Sequence, residues 1–195
     1  IIIDRISNNT VGMGLINKAI DKRNWIETHI DQREKYRVKS LITPRQRKEK
    51  NNHPPYVIIL SGDISINFTD YAKQLEEHLF LNNIQVYRYG FQYLGSAVNQ
   101  KYNVEQKEFR QDMIKQLTDI AFSFCDAGLV FITSIRQVSQ KEYKNMKQLL
   151  NPYQTVLIQI GEIREDADYI CKNQDVFNQQ VLDQVKAKIQ KNNTD

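Results

Sequence analysis

The sequence has no apolar run that approaches the roughly 18 residues needed to span a bilayer, and it shows no signal-peptide pattern. It contains only two cysteines, which lie far apart, and Cys125 falls in an apolar helical stretch. A buried thiol is therefore expected there rather than a disulfide, as in a reducing compartment. His29, His53 and His78 are isolated from one another and form no metal-ligand spacing with the cysteines. These absences predict a cytoplasmic protein with no membrane partner and no metal site.

The composition is otherwise that of an ordinary globular protein. Charged residues make up 26% of the chain and apolar residues 41%, which is enough for a sizeable core. The 195 residues suit one α/β domain of about 130–150 residues with extensions. No internal repeat is visible, and the polar residues 192–195 are predicted to form a tail.

The net charge of +4 is distributed unevenly along the chain. Between residues 33 and 50, eight basic residues stand against two glutamates, so this segment carries +6 and the remainder −2. Such a run is one signature of nucleic-acid binding. However, it contains a single aromatic residue, Tyr36, and it ends close to Pro54-Pro55. We therefore favour a solvated basic linker over residues 17–54, and nucleic-acid binding is the less favoured alternative.

Apolar runs separated by helical patterns predict a parallel sheet. The candidate strands are Val57–Leu60, Ile84–Tyr89, Leu129–Thr133 and Thr155–Ile160. Helices with apolar residues at helical spacing lie between and after them. Strands that alternate with helices pair in parallel through right-handed crossovers. We therefore predict four or five mainly parallel strands, with Val57–Leu60 central and helices on both faces.

The segment after the first of these strands has the outline of a phosphate-binding loop. In a P-loop, a glycine, four residues, a second glycine, a lysine and a serine or threonine join a strand to a helix and hold phosphates. Here Gly62 occupies the first glycine position, and Thr69 the position of the metal-binding hydroxyl. Asn67 replaces the second glycine and Phe68 the lysine, while Ser65 replaces a further glycine. Because the cation is missing, this loop is predicted to hold nucleotide weakly or not at all.

Further positions beyond the loop follow the order of one known family. These positions are Ser61-Gly62, Tyr71-Ala72, Leu75-Glu76, Leu79, Arg110, Asp112, Ile114, Lys115, Ala121 and Asp126-Ala127-Gly128-Leu129. From Pro55 to about Gly161 the chain thereby resembles the adenylylsulfate kinases, which use ATP to phosphorylate the 3′-hydroxyl of adenosine 5′-phosphosulfate. The resemblance implies a three-layer P-loop kinase fold over residues 55–191. It implies ATP and Mg²⁺ as cofactors only for a member that is active.

A second pattern occupies residues 1–16, through Asp4-Arg5, Thr10-Val11 and Gly14. It resembles the end of the β-barrel in the GTP-hydrolysing large subunit of sulfate adenylyltransferase, which many bacteria fuse through a linker to an adenylylsulfate kinase. The resemblance implies a barrel remnant at 1–16 before the linker and the kinase-like domain. It also implies the attached GTPase domain and the small subunit of sulfate adenylyltransferase as partners, and a homodimer is a further hypothesis. The start at Ile1 rather than at a methionine agrees with a piece of such a fusion, and an N-terminal β-hairpin of this domain is the alternative.

The working patches of this family are altered in the present sequence. Where the family positions substrate and metal with two aspartates and an arginine, this chain has Tyr89, Gly90, Phe91 and Leu94. Arg110 remains from the motif that contacts adenylylsulfate, either as an anion contact or as an exposed helix arginine without that role. Residues 136–140 have lost the family's serine, proline and arginine, and the lid that begins at Ile170-Cys171 is shortened.

Phosphoryl transfer depends on positioning and on charge neutralisation, and these substitutions reduce both. We therefore assign no catalytic residue, expect no cofactor, and expect Phe68 to turn toward the phosphate site or the core. The favoured hypothesis is a non-catalytic module that stabilises or regulates an attached GTPase. An active adenylylsulfate kinase with unrecognised substitutes and a basic nucleic-acid-associated protein are the alternatives.

Overall fold

The computed structural model describes residues 2–3, 7, 10–12, 24–63, 65–90, 107–172, 177 and 179–191. In this part of the chain, the helices are α1 (Trp25–Tyr36), α2 (Pro44–Asn51), α3 (Phe68–Leu81), α4 (Lys107–Asp126), α5 (Gln140–Leu150) and α6 (Gln179–Lys191). The strands are β1 (Ile2–Ile3), β2 (Thr10–Gly12), β3 (Tyr56–Gly62), β4 (Val86–Tyr89), β5 (Val130–Ser134), β6 (Gln154–Ile160) and β7 (Tyr169–Cys171). β1 and β2 form a separate antiparallel pair, and the other strands form one sheet.

All neighbouring strands of the larger sheet are parallel, in the order β4–β5–β3–β6–β7. The central strand is β3, and all seven of its residues are buried, as in a strand that helices cover on both faces. The prediction of a mainly parallel sheet with Val57–Leu60 at its centre is confirmed. The fifth strand differs from the sequence analysis, which places Ile170-Cys171 at the start of a lid. Both residues belong to β7, a strand of three residues that is too short to carry a periodic signal.

Helices cover both faces of this sheet and give it three layers. On one face the core includes α3 and α6, through Leu75, Leu79, Val185 and Ile189. On the other face it includes α4 and α5, through Leu117, Ala121, Met146 and Leu149. These residues recur at three- and four-residue spacing on their helices, which is why the sequence pattern predicts the layers correctly.

Residues 24–53 form a helical arm that packs against the α4–α5 face. Ile26 of α1 is 3% exposed and belongs to the core of that face. Arg33 donates a hydrogen bond from Nη1 to the carbonyl oxygen of Leu149 over 2.7 Å, and its guanidinium lies 3.7 Å from the centre of the Phe122 ring. Residues 24–53 are therefore mainly helical and partly packed against the domain, while most of their side chains remain solvent-exposed and only Ile26 and His53 among them are buried. The assignment of residues 17–54 as a linker between two domains stays a prediction.

The second half of the arm is held by the turn that follows α4. Arg47 donates to the carbonyl of Ala127 over 3.3 Å, and Asn51 Nδ2 donates to the carbonyl of Gly128 over 2.9 Å. Gly128 has a φ of +89°, and a Cβ there would lie 2.8 Å from Asn51 Nδ2, so the turn and the contact both require glycine. The arm escapes sequence analysis because long polar side chains make most of these contacts, and a search for apolar periodicity does not detect them.

His53 ends the arm at a buried position between two hydrogen bonds. The N–H of Gln85 donates to its Nε2 over 2.8 Å, and its Nδ1–H donates to the carbonyl of Pro54 over 3.0 Å, so the ring is neutral. Burial lowers the pKa of His53, and the hydrogen bond to Pro54 opposes this shift only in part. On acidification, this histidine therefore takes up a proton in the unfolded chain before it does so in the folded protein, at about pH 6.5. The stability that the neutral, buried His53 contributes is fully present above that pH and is lost as the pH falls below it.

We expect the free energy of unfolding to decrease on acidification below about pH 6.5, by at most about 1.4 kcal/mol per pH unit from His53. Urea titrations on either side of that pH measure the slope. A His53→Gln variant keeps an acceptor for the Gln85 N–H and has no titrating ring, so it should be less stable at neutral pH and should lose this part of the pH dependence. If wild type and variant show the same slope, the buried histidine does not control it.

Candidate functional site

The candidate site lies at the carboxyl ends of the parallel strands, where open α/β sheets hold ligands. β3 ends at Gly62 and leads through residues 63–67 into α3. A Cβ on Gly62 would lie 2.5 Å from the carbonyl oxygen of Ile160 and 2.7 Å from Cδ1 of Ile66. Only glycine allows the loop to approach β6 this closely. The first glycine of the phosphate-loop pattern is thus present and is required by packing, whether or not a phosphate binds.

The loop after Gly62 is folded around its own carboxylate. Asp63 accepts a hydrogen bond from the backbone N–H of Ser65 and another from the Ser65 hydroxyl, both over 2.9 Å. The N–H of Ile66 donates to the carbonyl of Asp63 over 3.2 Å. In a P-loop such amides face a phosphate. Here one of them is taken by an internal anion, and the negative charge of Asp63 opposes the approach of a phosphate group.

The start of α3 is capped and packed without any ligand. Asn67 is the N-cap residue, and its side chain accepts from the N–H of Thr69 over 3.2 Å and donates to Asp70 over 2.9 Å. Asn67 stands at the second glycine position of the P-loop pattern, and as the N-cap it accepts a hydrogen bond from a backbone N–H that has no partner within α3. Phe68, at the lysine position, is 6% exposed and belongs to the same core cluster as Tyr71 and Phe177. Its expected turn toward the core is observed.

The predicted substrate patch is only partly described. Tyr89 ends β4 half-buried, and its ring stacks on that of Phe131 with 5.8 Å between centres. Gly90 is exposed, and Phe91 and Leu94 lie outside the described residues. The aromatic residue that replaces the first part of the family's polar patch therefore contributes packing beside the sheet.

Arg110 of α4 is engaged in contacts within the protein. It forms an ion pair with Glu142, with 3.2 Å between Nη2 and Oε2, and Nη2 also donates to the carbonyls of Arg136 at 3.0 Å and Gln137 at 3.1 Å. Burial raises the pKa of Glu142, but the hydrogen bonds from Arg110 and Ser139 outweigh it, and the net pKa is below the ordinary value. Arg110 is therefore half-buried and paired, and not the exposed helix arginine of the second interpretation, and a role as an anion contact stays a prediction.

The loop after β5, residues 135–139, is tied to the end of β3. The N–H of Ile135 donates to Leu60 over 2.9 Å, and the N–H of Gln137 donates to Gly62 over 3.0 Å. The N–H of Val138 donates to the Ser61 hydroxyl over 3.1 Å. Arg164 donates to the carbonyl of Val138 from the other side. The backbone pairing of β3 and β5 thus continues past the end of β5, where a ligand crevice would need the two chains to separate.

Sequence reasoning missed three of the residues that shape this site. Asp63, Glu142 and Arg164 shape it through polar contacts, which apolar periodicity does not reveal. Two weak signals are present in the sequence: an aspartate two residues before Ser65, typical of an Asx turn, and a Ser139-x-x-Glu142 capping box. Within the described ranges no cluster of histidine, cysteine, aspartate or glutamate is suited to a metal ion. No helix in the same ranges is both long and apolar enough to cross a membrane.

Comparison with known proteins extends these observations. No protein-family model matches the sequence. An adenylyl-sulfate kinase of Staphylococcus carnosus (strain TM300) is 22% identical over 131 residues, which are 67% of this chain and 58% of that protein. The chain thus spans little more than half the length of this relative.

Solved structures of the same enzyme class superpose on the chain. The hexameric APS kinase from Thiobacillus denitrificans does so with a TM-score of 0.57 at 9% identity, over 76% of this chain and 32% of that one. The APS kinase of Mycobacterium tuberculosis in complex with AMPPNP and APS does so with a TM-score of 0.55 at 10% identity, over 68% and 96%. This chain has the fold of an adenylylsulfate kinase.

The adenylylsulfate kinase fold of this chain does not fit ATP and Mg²⁺ at its phosphate loop. The side chain at the lysine position, Phe68, is apolar and buried in the core. The Ser65 amide is bonded to Asp63, and the remaining arginine of the substrate motif, Arg110, is paired with Glu142. Of the P-loop's polar side chains, only the Thr69 hydroxyl is retained. No step of phosphoryl transfer can be derived from these residues.

Proposed function

We propose that residues 55–191, together with the arm, form an adenylylsulfate kinase-like module that does not transfer phosphate. Its role is structural or regulatory within a cytoplasmic, sulfate-activating protein. The observation that carries this proposal is the inward-folded loop, in which Asp63 holds a backbone amide and Phe68 lies in the core. An intact core around a loop that is closed by its own side chains supports a domain that has kept its fold and lost phosphoryl transfer.

The purified protein is expected to bind ATP weakly or undetectably in calorimetry with Mg²⁺ present, and to form no phosphoadenylylsulfate. The physical reason is the loss of a charge-assisted hydrogen bond to phosphate, which alone costs about 1.5–3 kcal/mol, or roughly 10- to 150-fold in affinity. The Staphylococcus carnosus adenylyl-sulfate kinase serves as the positive control in the same assay. Robust formation of phosphoadenylylsulfate by this protein would establish the alternative of an active kinase and direct a search for a substitute cation among Lys73, Arg110 and Arg136.

An Asp63→Asn variant separates the effect of charge from that of loop shape. Asparagine keeps an acceptor for the Ser65 N–H and removes the negative charge, so the loop should stay folded. We expect less than about a tenfold gain in ATP affinity, because Phe68 still supplies no cation. A larger gain would mean that the carboxylate alone prevents binding and that the loop is otherwise competent.

The second part of the proposal is the fusion to the GTPase subunit of sulfate adenylyltransferase. Its support is the pattern at residues 1–16, and the antiparallel pairing of β1 with β2 agrees with strands from a barrel. The coding sequence upstream of Ile1 tests it: intact GTP-binding motifs there support the fusion, and an unrelated domain or a start site contradicts it. Under this proposal the partners are the attached GTPase domain and the small subunit, and a homodimer is open to measurement by light scattering.

The role of the module is tested by deleting it from the full-length fusion. The cut belongs before Asn24, so that the arm is removed together with the domain on which it packs. Sulfate adenylyltransferase and GTPase activity, thermal stability and recovery of the small subunit are then compared with those of the intact protein. Equal values in all of these measurements would leave the module without a role in that complex.

A further inference from the structure

Four apolar side chains protrude from the arm within seven residues. Tyr36 is 76% exposed, Val38 91%, Leu41 100% and Ile42 52%. They stand at the end of α1 and on residues 37–43, which connect α1 to α2. Isolated exposed apolar residues are normal on protein surfaces, but a contiguous group marks an interaction site.

A groove begins beside this group, between α1 and the second half of α4. It has a volume of about 530 Å³ and is bordered by Tyr36 and Val38. Phe122 lies along it, with the guanidinium of Arg33 3.7 Å from the ring centre. Arg37, at the end of the groove next to the exposed loop, is paired with Asp126. The exposed side chains therefore adjoin a concave surface.

The two carboxylates that line the groove, Asp119 and Asp126, are paired with basic side chains of α1 and with Arg37, and further positive charge lies on the segment next to it. α2 has no buried residue, and Arg47 and Asn51 attach it to the turn directly after α4. Among the described residues, Lys39, Lys48 and Lys50 form no ion pair. The segment from 33 to 50 has a net charge of +6. Because these three lysines have no ion-pair partner in the described part of the chain, an acidic ligand would find them available.

We propose that this arm surface, made of the α1–α4 groove, residues 37–43 and α2, docks an acidic amphipathic segment of another protein. The apolar side chains of that segment would cover Val38 and Leu41 and enter the groove, and its carboxylates would face the unpaired lysines. Aromatic and apolar anchors beside a pocket, with charges at the rim, form the usual anatomy of a protein interface. A bilayer is flat and does not use a groove, and nucleic acid gains little from exposed aliphatic side chains. The inference does not depend on the loss of phosphoryl transfer.

The probe is a fluorescent synthetic helix of about 18 residues, or five turns, with leucine at three- and four-residue spacing and glutamate elsewhere. A companion peptide has lysine in place of every glutamate. Fluorescence anisotropy against the full 195-residue chain measures affinity for both. We expect the acidic peptide to bind and the basic one not to bind, with an affinity that falls as salt increases.

Two sets of variants locate the binding. The double variant Val38→Asp with Leu41→Asp should weaken binding of the acidic peptide by at least about tenfold. The reason is that loss of a single hot-spot side chain commonly lowers the affinity of an interface by more than about tenfold. The matched control is Phe80→Asp with Leu81→Asp, because these residues are also exposed, at 68% and 71%, and lie on α3. The control should bind like wild type, and both variants should keep the wild-type melting temperature. Lys39→Glu with Lys48→Glu and Lys50→Glu should weaken binding without disturbing the apolar group.

Several results overturn the proposal. One is the absence of binding to the acidic peptide by the wild-type protein. Another is equal binding by the Val38→Asp and Leu41→Asp variant and by its control. Sedimentation with vesicles of phosphatidylcholine and phosphatidylserine, or binding to duplex DNA, in the absence of peptide binding would instead assign the surface to a membrane or to nucleic acid.

Discussion

A protein that starts at Pro54 is expected to be largely unfolded, whereas one that starts at Asn24 should fold and unfold cooperatively. The longer protein retains every arm contact described above. The shorter one loses the burial of Ile26, worth about 1.5–3 kcal/mol, and uncovers Phe122 and the face of α4 beneath it. It also leaves Asp126 without Arg37 and the Gln85 N–H without His53. Together these losses exceed about 5 kcal/mol, which is comparable with the whole stability of a domain at about 5–15 kcal/mol.

Circular dichroism and urea titration of the two proteins measure this difference. Ile26→Ala in the longer protein is the matched test of the apolar part, with an expected loss of about 2–4 kcal/mol. If the protein from Pro54 onward shows a cooperative transition with a midpoint close to that of the longer one, the arm is not an integral part of the fold. The result also decides how functional deletions are made, since a cut before Pro54 would confuse loss of folding with loss of function.

The centre of the sheet is predictable from the sequence because its strands are strongly apolar. Val57–Leu60 is a continuous apolar run, and Thr155–Ile160 is apolar except at Thr155 and Gln159, which suits strands buried on both faces. The helices between them have apolar residues at helical spacing. The same logic fails for β7. Its three residues include Cys171, which is buried, but tertiary contacts rather than periodicity define the strand.

The arm could not be predicted for a related reason. Its basic composition is typical of a solvated linker, and only Ile26 in α1 is buried. Arg33 contacts the carbonyl of Leu149 and the face of the Phe122 ring, and Arg37 pairs with the carboxylate of Asp126. All three partners are distant from the arm in sequence. The free energy of such contacts depends on geometry that composition does not contain. A basic run is therefore compatible with both a linker and a docked helix.

The sequence predicts which motif residues the candidate site lacks, but it does not predict the contacts that replace them. Phe68 stands in place of the family's lysine, and the residues around Tyr89 stand in place of its aspartates. The contacts that occupy the site, Asp63 with Ser65 and Arg110 with Glu142, require the folded loop. The structure adds that Arg110, the arginine retained from the substrate motif, joins α4 to α5 through its ion pair with Glu142. No motif comparison could establish this contact.

Replacement of Asp168 by alanine is expected to cause the largest loss of stability among single substitutions of charged residues in the described chain. Oδ2 of Asp168 accepts from the Leu157 N–H over 2.9 Å and from the Tyr143 hydroxyl over 2.8 Å, and Oδ1 accepts from Lys188 over 2.9 Å. One carboxylate thus joins β6, α5 and α6 across both faces of the sheet. The hydroxyl and the N–H belong to buried residues, and each would lose this partner at a cost of about 1–3 kcal/mol.

We therefore expect Asp168→Ala to lower the free energy of unfolding by about 3–5 kcal/mol and the melting temperature by roughly 6–20 °C. Asp112→Ala is the control, because the Asp112 carboxylate is exposed and its pair with Lys115 should contribute less than about 1 kcal/mol. Calorimetric melts of the two variants and of wild type measure both effects. A loss for Asp168→Ala no larger than that of the control would show that the carboxylate is not a structural centre.

The pH dependence supplies an independent test of the same carboxylate. Burial disfavours its ionised form, but hydrogen bonds from Leu157, Lys188 and Tyr143 outweigh burial and lower the pKa of Asp168 below its ordinary value. Its stabilisation is therefore complete above the unfolded-state pKa of about 3.9 and is lost as the pH falls through the lower folded-state pKa. Asp168→Asn, which cannot ionise, should be less stable than wild type near neutral pH, and the difference should shrink in this acidic range. A constant difference between the two proteins across that range would contradict the ionised, hydrogen-bonded role assigned to Asp168.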